Sequence, residues 1–138
     1  MKECHPKCIK IIKKFFSELK YLDRKRCLEV GAGDGKVTRD LLKDLFVAID
    51  CFDTSFEAVK KLEKLQGLLR VIKKVDQATM QNYYWTEEFT CIFMRWCIGY
   101  LSEDEAIAFL KKAKDHLYKK PIESTRSHFP SSYIIVID

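Results

Sequence analysis

Glu29, Gly31, Gly33, Asp34 and Gly35 fall within seven residues, the densest gathering of chemically useful types in the chain. Cys27, Leu28 and Val30 form the short apolar run of a buried strand, the three glycines interrupt it, and a helical pattern starts near Lys36. A strand that turns into a helix through glycines brings bare backbone up to a ligand and aims the helix N-terminus at it. The acids narrow the ligand. A dinucleotide fingerprint has the spacing Gly-x-Gly-x-x-Gly and holds a pyrophosphate, whereas the spacing here is Glu-x-Gly-x-Gly-x-Gly. Glu29 and Asp34 would repel a phosphate; they suit a ligand that carries an ammonium group and no phosphate.

A second acid follows at the right distance. Phe46 to Asp53 is an apolar run ending in a carboxylate, eighteen residues after Gly35. In a doubly wound sheet the second strand ends beside the first turn, where an acid accepts hydrogen bonds from both hydroxyls of a ribose and disfavours a 2′-phosphate. Asp53 is the residue for that role. Asp50 is placed within the strand instead, and Thr54 with Glu57 reads as a Thr-x-x-Glu capping box for the helix that follows. The fourth apolar run, Phe89 to Trp96, puts Arg95 and Trp96 at its carboxyl end, which in open parallel sheets faces the binding crevice.

The elements that must position these residues alternate along the chain. Residues 7–22 carry a helical stripe of Cys8, Ile11, Ile12, Phe15, Phe16, Leu19 and Leu22 with lysines opposite it. The first strand is Arg26 to Val30, and the next helix, Lys36 to Leu45, turns Val37, Leu41, Leu42 and Leu45 inward. Phe46 to Phe52 is the second strand, and Ser55 to Leu65 a helix using Phe56, Val59, Leu62 and Leu65. Leu68 to Val75 reads as the third strand and Asp76 to Asn82 as a loop. Ser102 to Glu105 is a capping box for a helix that faces Ala106, Phe109, Leu110, Ala113 and Leu117 inward. A loop over 119–132 leads to a fifth strand, Tyr133 to Ile137. Alternation with short connections predicts an α/β fold, a parallel Rossmann-like sheet with helices on both faces.

Composition bounds the function. At 138 residues, 47% hydrophobic and 33% charged, residues 1–138 read as a single globular domain. No apolar run approaches the roughly 20 residues of a membrane helix and no signal core opens the sequence, so no membrane is expected and the location expected is cytoplasmic or nuclear. Four of the six cysteines, Cys27, Cys51, Cys91 and Cys97, fall on or beside strands as small apolar side chains. Cys4, His5 and Cys8 fall short of four ligands, so no metal is expected. The net charge of +5 is spread over lysine-rich helical faces, the pattern of a solvated surface more than a nucleic-acid footprint.

The acidic-x-Gly-x-Gly-x-Gly turn is similar to the first motif of S-adenosylmethionine-dependent methyltransferases. Leu28 to Arg39, Ile49 to Asp53, Met94-Arg-Trp-Cys-Ile-Gly-Tyr-Leu101 and Phe109 to Lys114 together resemble a narrower family, the protein N-terminal methyltransferases acting on the α-amine of Xaa-Pro-Lys. The run from Trp96 to Leu101 is the most specific of these pieces. The resemblance implies a class I methyltransferase sheet with S-adenosylmethionine as cofactor. It implies cofactor contacts from Glu29, Gly31, Ala32, Gly33, Gly35, Lys36, Asp53, Thr54 and Arg95, with Arg95 near the carboxylate or sulfonium where relatives carry glutamine. It puts Asp76 or Gln77 by the adenine, Trp96 against the substrate proline, and Tyr100 where relatives place a catalytic histidine. A complete domain of this kind has seven strands and an N-terminal lid. The expectation is therefore a sheet truncated after the fifth strand, whose edge another surface or a partner subunit covers.

The partner implied is a protein with a free N-terminus. Two other readings stay open: a catalytically silent cofactor-binding or structural partner of another subunit, and a nucleic-acid methyltransferase. The latter commonly carries Asn/Asp-Pro-Pro-Tyr/Phe after the fourth strand, and Arg95-Trp-Cys-Ile-Gly99 has no prolines.

Overall fold

The strands of the computed structural model are β1 (Arg26–Val30), β2 (Ala48–Asp53), β3 (Ile72–Gln77), β4 (Cys91–Arg95) and β5 (Tyr133–Ile137). The helices are α1 (Pro6–Glu18), α2 (Lys36–Asp40), α3 (Phe56–Leu68) and α4 (Glu103–Asp115), and residues 6–119 and 131–137 are the ones described. All strands are parallel, in the order β3-β2-β1-β4-β5. β1 is first in the chain and central in the sheet, so the order reverses between β1 and β4. The connections that leave the carboxyl ends of β1 and β4 lead to opposite faces at that point, which is where open α/β sheets bind ligands.

Strand alternation sorts the apolar side chains into two cores. On one face Cys27, Ile49, Cys91, Phe93 and Ile135 meet Ile12 and Phe16 of α1 and Val37, Leu41 and Leu42 of the segment after β1. The Phe16 ring lies 6.0 Å from Phe46 and 5.8 Å from Phe93. Leu62 of α3 covers Cys51 and Ile72. On the other face Leu28, Val30, Phe52, Ile92 and Met94 pack against Tyr83, Phe89, and Phe109 and Ala113 of α4. Helices on both faces of a parallel sheet are the expected architecture.

Several details differ from the pattern reading. α1 stops at Glu18, and of the stripe only Ile12 and Phe16 within the helix and Leu22 beyond it are buried; Ile11 is 68% and Phe15 44% exposed. The stripe is wider than the part of the helix that meets the sheet. The helix expected over 36–45 breaks at Leu41 (φ −138°) into α2 and a single 3-10 turn, Leu42–Asp44. Ser55, not Thr54, caps α3: its hydroxyl accepts from the Ala58 N–H at 3.3 Å. Phe56, the first residue of α3, lies 58% exposed under the Lys60 ammonium, while Val59 and Leu62 of the expected stripe are buried. α3 runs on through Gly67 to Leu68, so β3 starts at Ile72 and extends through Asp76 and Gln77, which the pattern had assigned to a loop. As an edge strand β3 buries little, which blurs its alternation. β2 starts at Ala48 and β4 at Cys91; Phe89 instead bridges to Leu117, and Trp96 has left the strand. The Ser102 capping box on α4 forms as expected. β5 is the outermost strand on its side. Cys4, His5 and residues 120–130 of the expected loop lie outside the described residues. No described helix is long and apolar enough to cross a membrane.

Candidate active site

β1 ends at Val30, and the three glycines that follow all take left-handed backbone: Gly31 at φ +63°, Gly33 at +59° and Gly35 at +84°. Their reasons differ. A Cβ on Gly31 would lie 2.5 Å from the Cys97 Sγ, so the turn and the loop after β4 touch backbone to thiol. A Cβ on Gly35 would lie 2.7 Å from Leu65 Cδ2, so this glycine lets α2 start close against α3. Asp53 ties the turn to β2. One of its oxygens accepts the Gly33 N–H at 2.9 Å and the other the Ser55 N–H at 2.9 Å. A carboxylate offers about four acceptor sites, so two are left. The Asp53 main-chain carbonyl also accepts the Ala78 N–H at 3.0 Å, which sets the loop beyond β3 over the same rim.

These loops enclose a cleft of about 1140 Å³. It is lined by Glu29, Gly31, Ala32, Gly33, Asp34, Lys36, Asp53, Thr54, Arg95, Trp96 and Tyr100, together with Thr79, Met80, Gln81, Phe93, Cys97, Gly99 and Leu101. Of the residues singled out by sequence, Gly35, Asp76 and Gln77 are not on its wall. Asp76 and Gln77 line a separate cavity of about 220 Å³ with Asn82, Tyr83 and Tyr84. Asp76 pairs with Lys74 at 3.4 Å, and the Gln77 amide donates to the Thr54 carbonyl at 3.1 Å. Asp50 is remote from this chemistry: it is buried and paired with Arg26 at 2.7 Å.

The polar floor of the cleft is unusual for its burial. Glu29 is 4% exposed and accepts a hydrogen bond from the Thr38 hydroxyl. Burial pushes its carboxyl up to a pKa of about 7, against the stabilising Thr38 hydroxyl and Arg95 charge, while Asp34 and Asp53 add to the rise. Arg95 lies 4.5 Å over the Trp96 ring, and its Nη1 is buried with no acceptor. Trp96 has φ +56°, the one positive value for a non-glycine among the described residues. A bulky residue in that region is strained, and such strain gathers where a side chain must be aimed. Tyr100 stands at the mouth, 90% exposed, on a 3-10 turn, Ile98–Tyr100.

Four contributors were missed from sequence. Cys97 places its Sγ 3.3 Å from the Val30 carbonyl and 3.2 Å from that of Arg95, and burial pushes its thiol up, so it stays a donor. Its burial beside a glycine has no local signal. Thr38 faces back from α2 onto Glu29, a pairing legible only once α2 is laid over β1. Thr79 is locked by mutual bonds with Asn82, backbone N–H to side chain both ways at 2.7 and 3.0 Å, which a Thr-x-x-Asn spacing could have signalled. Gln81 donates to Glu105 at 2.6 Å, joining the loop beyond β3 to the cap of α4.

The family model for the AdoMet-dependent proline di-methyltransferases matches residues 7–125. The zebrafish N-terminal Xaa-Pro-Lys N-methyltransferase 1 is 27% identical over 78% of this chain and 50% of its own length. The Drosophila melanogaster alpha N-terminal protein methyltransferase 1 is 22% identical over 75% of the chain and 39% of its own length. Among solved structures, a Leishmania major SAM-dependent methyltransferase superposes with a TM-score of 0.79 at 21% identity, over 93% of this chain and 48% of that one. A glycopeptide N-methyltransferase in complex with S-adenosylmethionine superposes with a TM-score of 0.66 at 16% identity, over 80% and 46%. The structural likenesses establish the fold, and the chain spans about half the length of the curated relatives it matches.

Proposed function

The chain belongs to the AdoMet-dependent proline di-methyltransferase family, whose cofactor is S-adenosylmethionine, and from that premise we propose that it methylates the N-terminal α-amine of a protein beginning Xaa-Pro-Lys. The observation that carries the proposal is the cleft between the Gly31 turn and the end of β4. Its rim and floor fit the cofactor on two counts: Asp53 keeps two acceptor sites beyond those taken by Gly33 and Ser55, and Arg95 has a buried N–H without an acceptor. A ligand that supplies paired hydroxyls and an anionic group answers both.

Within this proposal Gly31, Ala32, Gly33, Thr54 and Lys36 border the methionine end, and Glu29 and Arg95 lie at its floor. Asp53 keeps two acceptor sites for the ribose hydroxyls. Gly35 acts by packing. Asp76 and Gln77 stand off the cleft in the neighbouring cavity, held by Lys74 and the Thr54 carbonyl. When bound, S-adenosylmethionine supplies a methyl group on a cationic sulfur. The protein's work is to hold an unprotonated amine in line with it and to keep water out. Trp96 offers a flat apolar wall for the proline, and Tyr100 a hydroxyl at the mouth beside the amine. An α-amine has a pKa of about 8, so roughly a tenth is neutral at pH 7 and no strong base is needed. Both Glu105 oxygens are taken, by the Ser102 N–H and the Gln81 amide, so this acid is not free to meet a cationic peptide.

The test is mass spectrometry of an Xaa-Pro-Lys peptide incubated with the protein and cofactor. Transfer adds ~14 Da at the peptide N-terminus and is lost in Asp53→Ala. The same gain on an oligonucleotide and not on the peptide overturns the substrate assignment. Cofactor binding without transfer to either points to the silent, partner-dependent reading.

A further inference from the structure

The rim of the cleft is held by a ring of contacts that closes on itself. Asp53 links the turn after β1 to the loop beyond β3, accepting the Gly33 N–H at 2.9 Å on its side chain and the Ala78 N–H at 3.0 Å on its carbonyl. The reciprocal Thr79–Asn82 bonds fold that loop into a turn, from which the Gln81 amide donates to Glu105 Oε2 at 2.6 Å. The other Glu105 oxygen accepts the N–H of Ser102 at 3.1 Å, next in the chain to Leu101 on the cleft wall. The 3-10 turn Ile98–Tyr100 carries the ring back to Cys97, whose thiol donates at 3.3 Å to the carbonyl of Val30, where the circuit began. Every link but one has a backbone partner. The exception is Gln81–Glu105, a bond between two exposed side chains.

An exposed bond between two long side chains adds little to global stability, because ordering them costs nearly what the bond returns. Its place in the ring gives it another use. Beneath it, Ala78 and Met80 of the loop pack against the same core as Ile98 and Leu101, but apolar contacts are non-directional. A charge-assisted bond fixes orientation as well as distance. The Gln81 amide is the foremost cause that holds the Glu105 carboxyl below its usual pKa, ahead of the Ser102 groups, so the bond engages the ionised form. The two segments it joins border different halves of the proposed site: Ala78 and Thr79 lie with Asp53 and Thr54, Trp96 and Tyr100 on the peptide side. Ordering one segment prepays part of the cost of ordering the other when the two move as one. We propose that Gln81 and Glu105 are positioning residues whose bond clasps the loop beyond β3 to the wall Trp96–Leu101, so that cofactor held against the loop stiffens the wall that receives the peptide amine. The inference rests on S-adenosylmethionine being the ligand of this cleft.

Amide exchange followed by NMR on the 138-residue chain, with and without saturating S-adenosylmethionine, tests it. The readout is at Tyr100 and Leu101, whose N–H groups donate to the Cys97 and Ile98 carbonyls at 3.2 and 3.1 Å. In the unmodified protein the cofactor should slow exchange there by roughly five- to tenfold, the lower range of coupling between sites. In Gln81→Glu, which sets two carboxylates against each other, the slowing should fall below about twofold while the melting temperature holds within about 2 °C. Gln81→Ala, which removes the donor without adding a charge, should do the same. The exchanged pair Gln81→Glu/Glu105→Gln puts amide and carboxylate on opposite sides, keeps an acceptor for the Ser102 N–H, and should restore most of the slowing. Slowing that persists in both single variants overturns the proposal, as does a loss that the exchanged pair fails to recover. Exchange at Tyr100 and Leu101 that bound cofactor leaves unchanged in the unmodified protein overturns it without any variant. Those outcomes leave the cofactor assignment standing. No binding of S-adenosylmethionine at millimolar concentration overturns both.

Discussion

Glu29 and Asp50 are the two carboxylates buried among the described residues, on neighbouring strands of one sheet, and the protein treats them in opposite ways. Asp50 is 1% exposed in the middle of β2 and takes both an Nε and an Nη2 hydrogen bond from Arg26, at 3.3 and 2.7 Å. Glu29 is nearly as buried, at the rim of the cleft, and has a hydroxyl for a partner. For both, burial outweighs the favourable partners and the pKa rises. The difference lies in who supplies the counter-charge. Asp50 has it in direct contact; Glu29 has only the Arg95 charge at a distance, with no ion pair to it among the described residues.

The largest way to break that contrast is Arg26→Met, which strands Asp50 in the core. Removing one partner of a buried pair typically costs about 4 kcal/mol, read as a fall in the urea midpoint. The double variant Arg26→Met/Asp50→Asn should recover most of it. The next effect concerns Glu29 and pH. Its folded pKa of about 7 lies above its ordinary 4.5. Between those values the unfolded chain has released the proton that the folded chain keeps. Stability is therefore full below pH 4.5 and falls as pH rises to 7, by up to about 3 kcal/mol. Asp50 is shifted the same way, so Glu29→Gln should remove most of this slope and leave a remainder. Cofactor affinity should run the other way, rising through pH 7 as Glu29 ionises to meet a cation. Thermal melts and calorimetry across pH 5–8 check both signs.

A smaller effect sharpens the contrast from the other side. Thr38→Val removes the one donor to Glu29 among the described residues and should cost about 1–2 kcal/mol at pH 8, where the carboxylate is charged, and less at pH 5, where it is protonated. Urea titrations at the two pH values read the difference. The smallest effect belongs to the surface pair Arg39–Asp40, at 2.8 Å but in solvent. Asp40→Asn should leave the melting temperature unchanged within error, because exposed pairs add little.

How much of this was readable in the chain depended on whether the deciding contacts were local. The Glu29–Gly35 turn and the Ser102–Glu105 box are set by neighbours in sequence, and both formed where their residue types demanded. Asp53 was placed by the rule for doubly wound sheets, and its side chain does grip the turn. Ser55 against Thr54 as the cap was a choice between adjacent hydroxyls that only the entry angle from β2 decides. Asp76 and Gln77 were extended into β3 by pairing with β2, a tertiary effect that overrode polar, irregular local character. Cys97 against Gly31, Thr38 against Glu29 and the orphan N–H of Arg95 belong to packing between separate elements, about which no window of sequence carries a sign.

The central position of β1 has a consequence for assembly. Its bonds to β2 close after about twenty residues of chain, but its far side stays bare until Thr90 arrives, with the Thr90 hydroxyl donating to Arg26 across a separation of 64 residues. Closing the longer segment is entropically dearer and slower. The half-sheet β3-β2-β1 is thus expected to condense first, with the cleft completed only on β4 docking. In pulse-labelled amide exchange, protection should appear at Cys51 and Phe52 before Ile92 and Phe93, and capacity to bind ligand should track the second event.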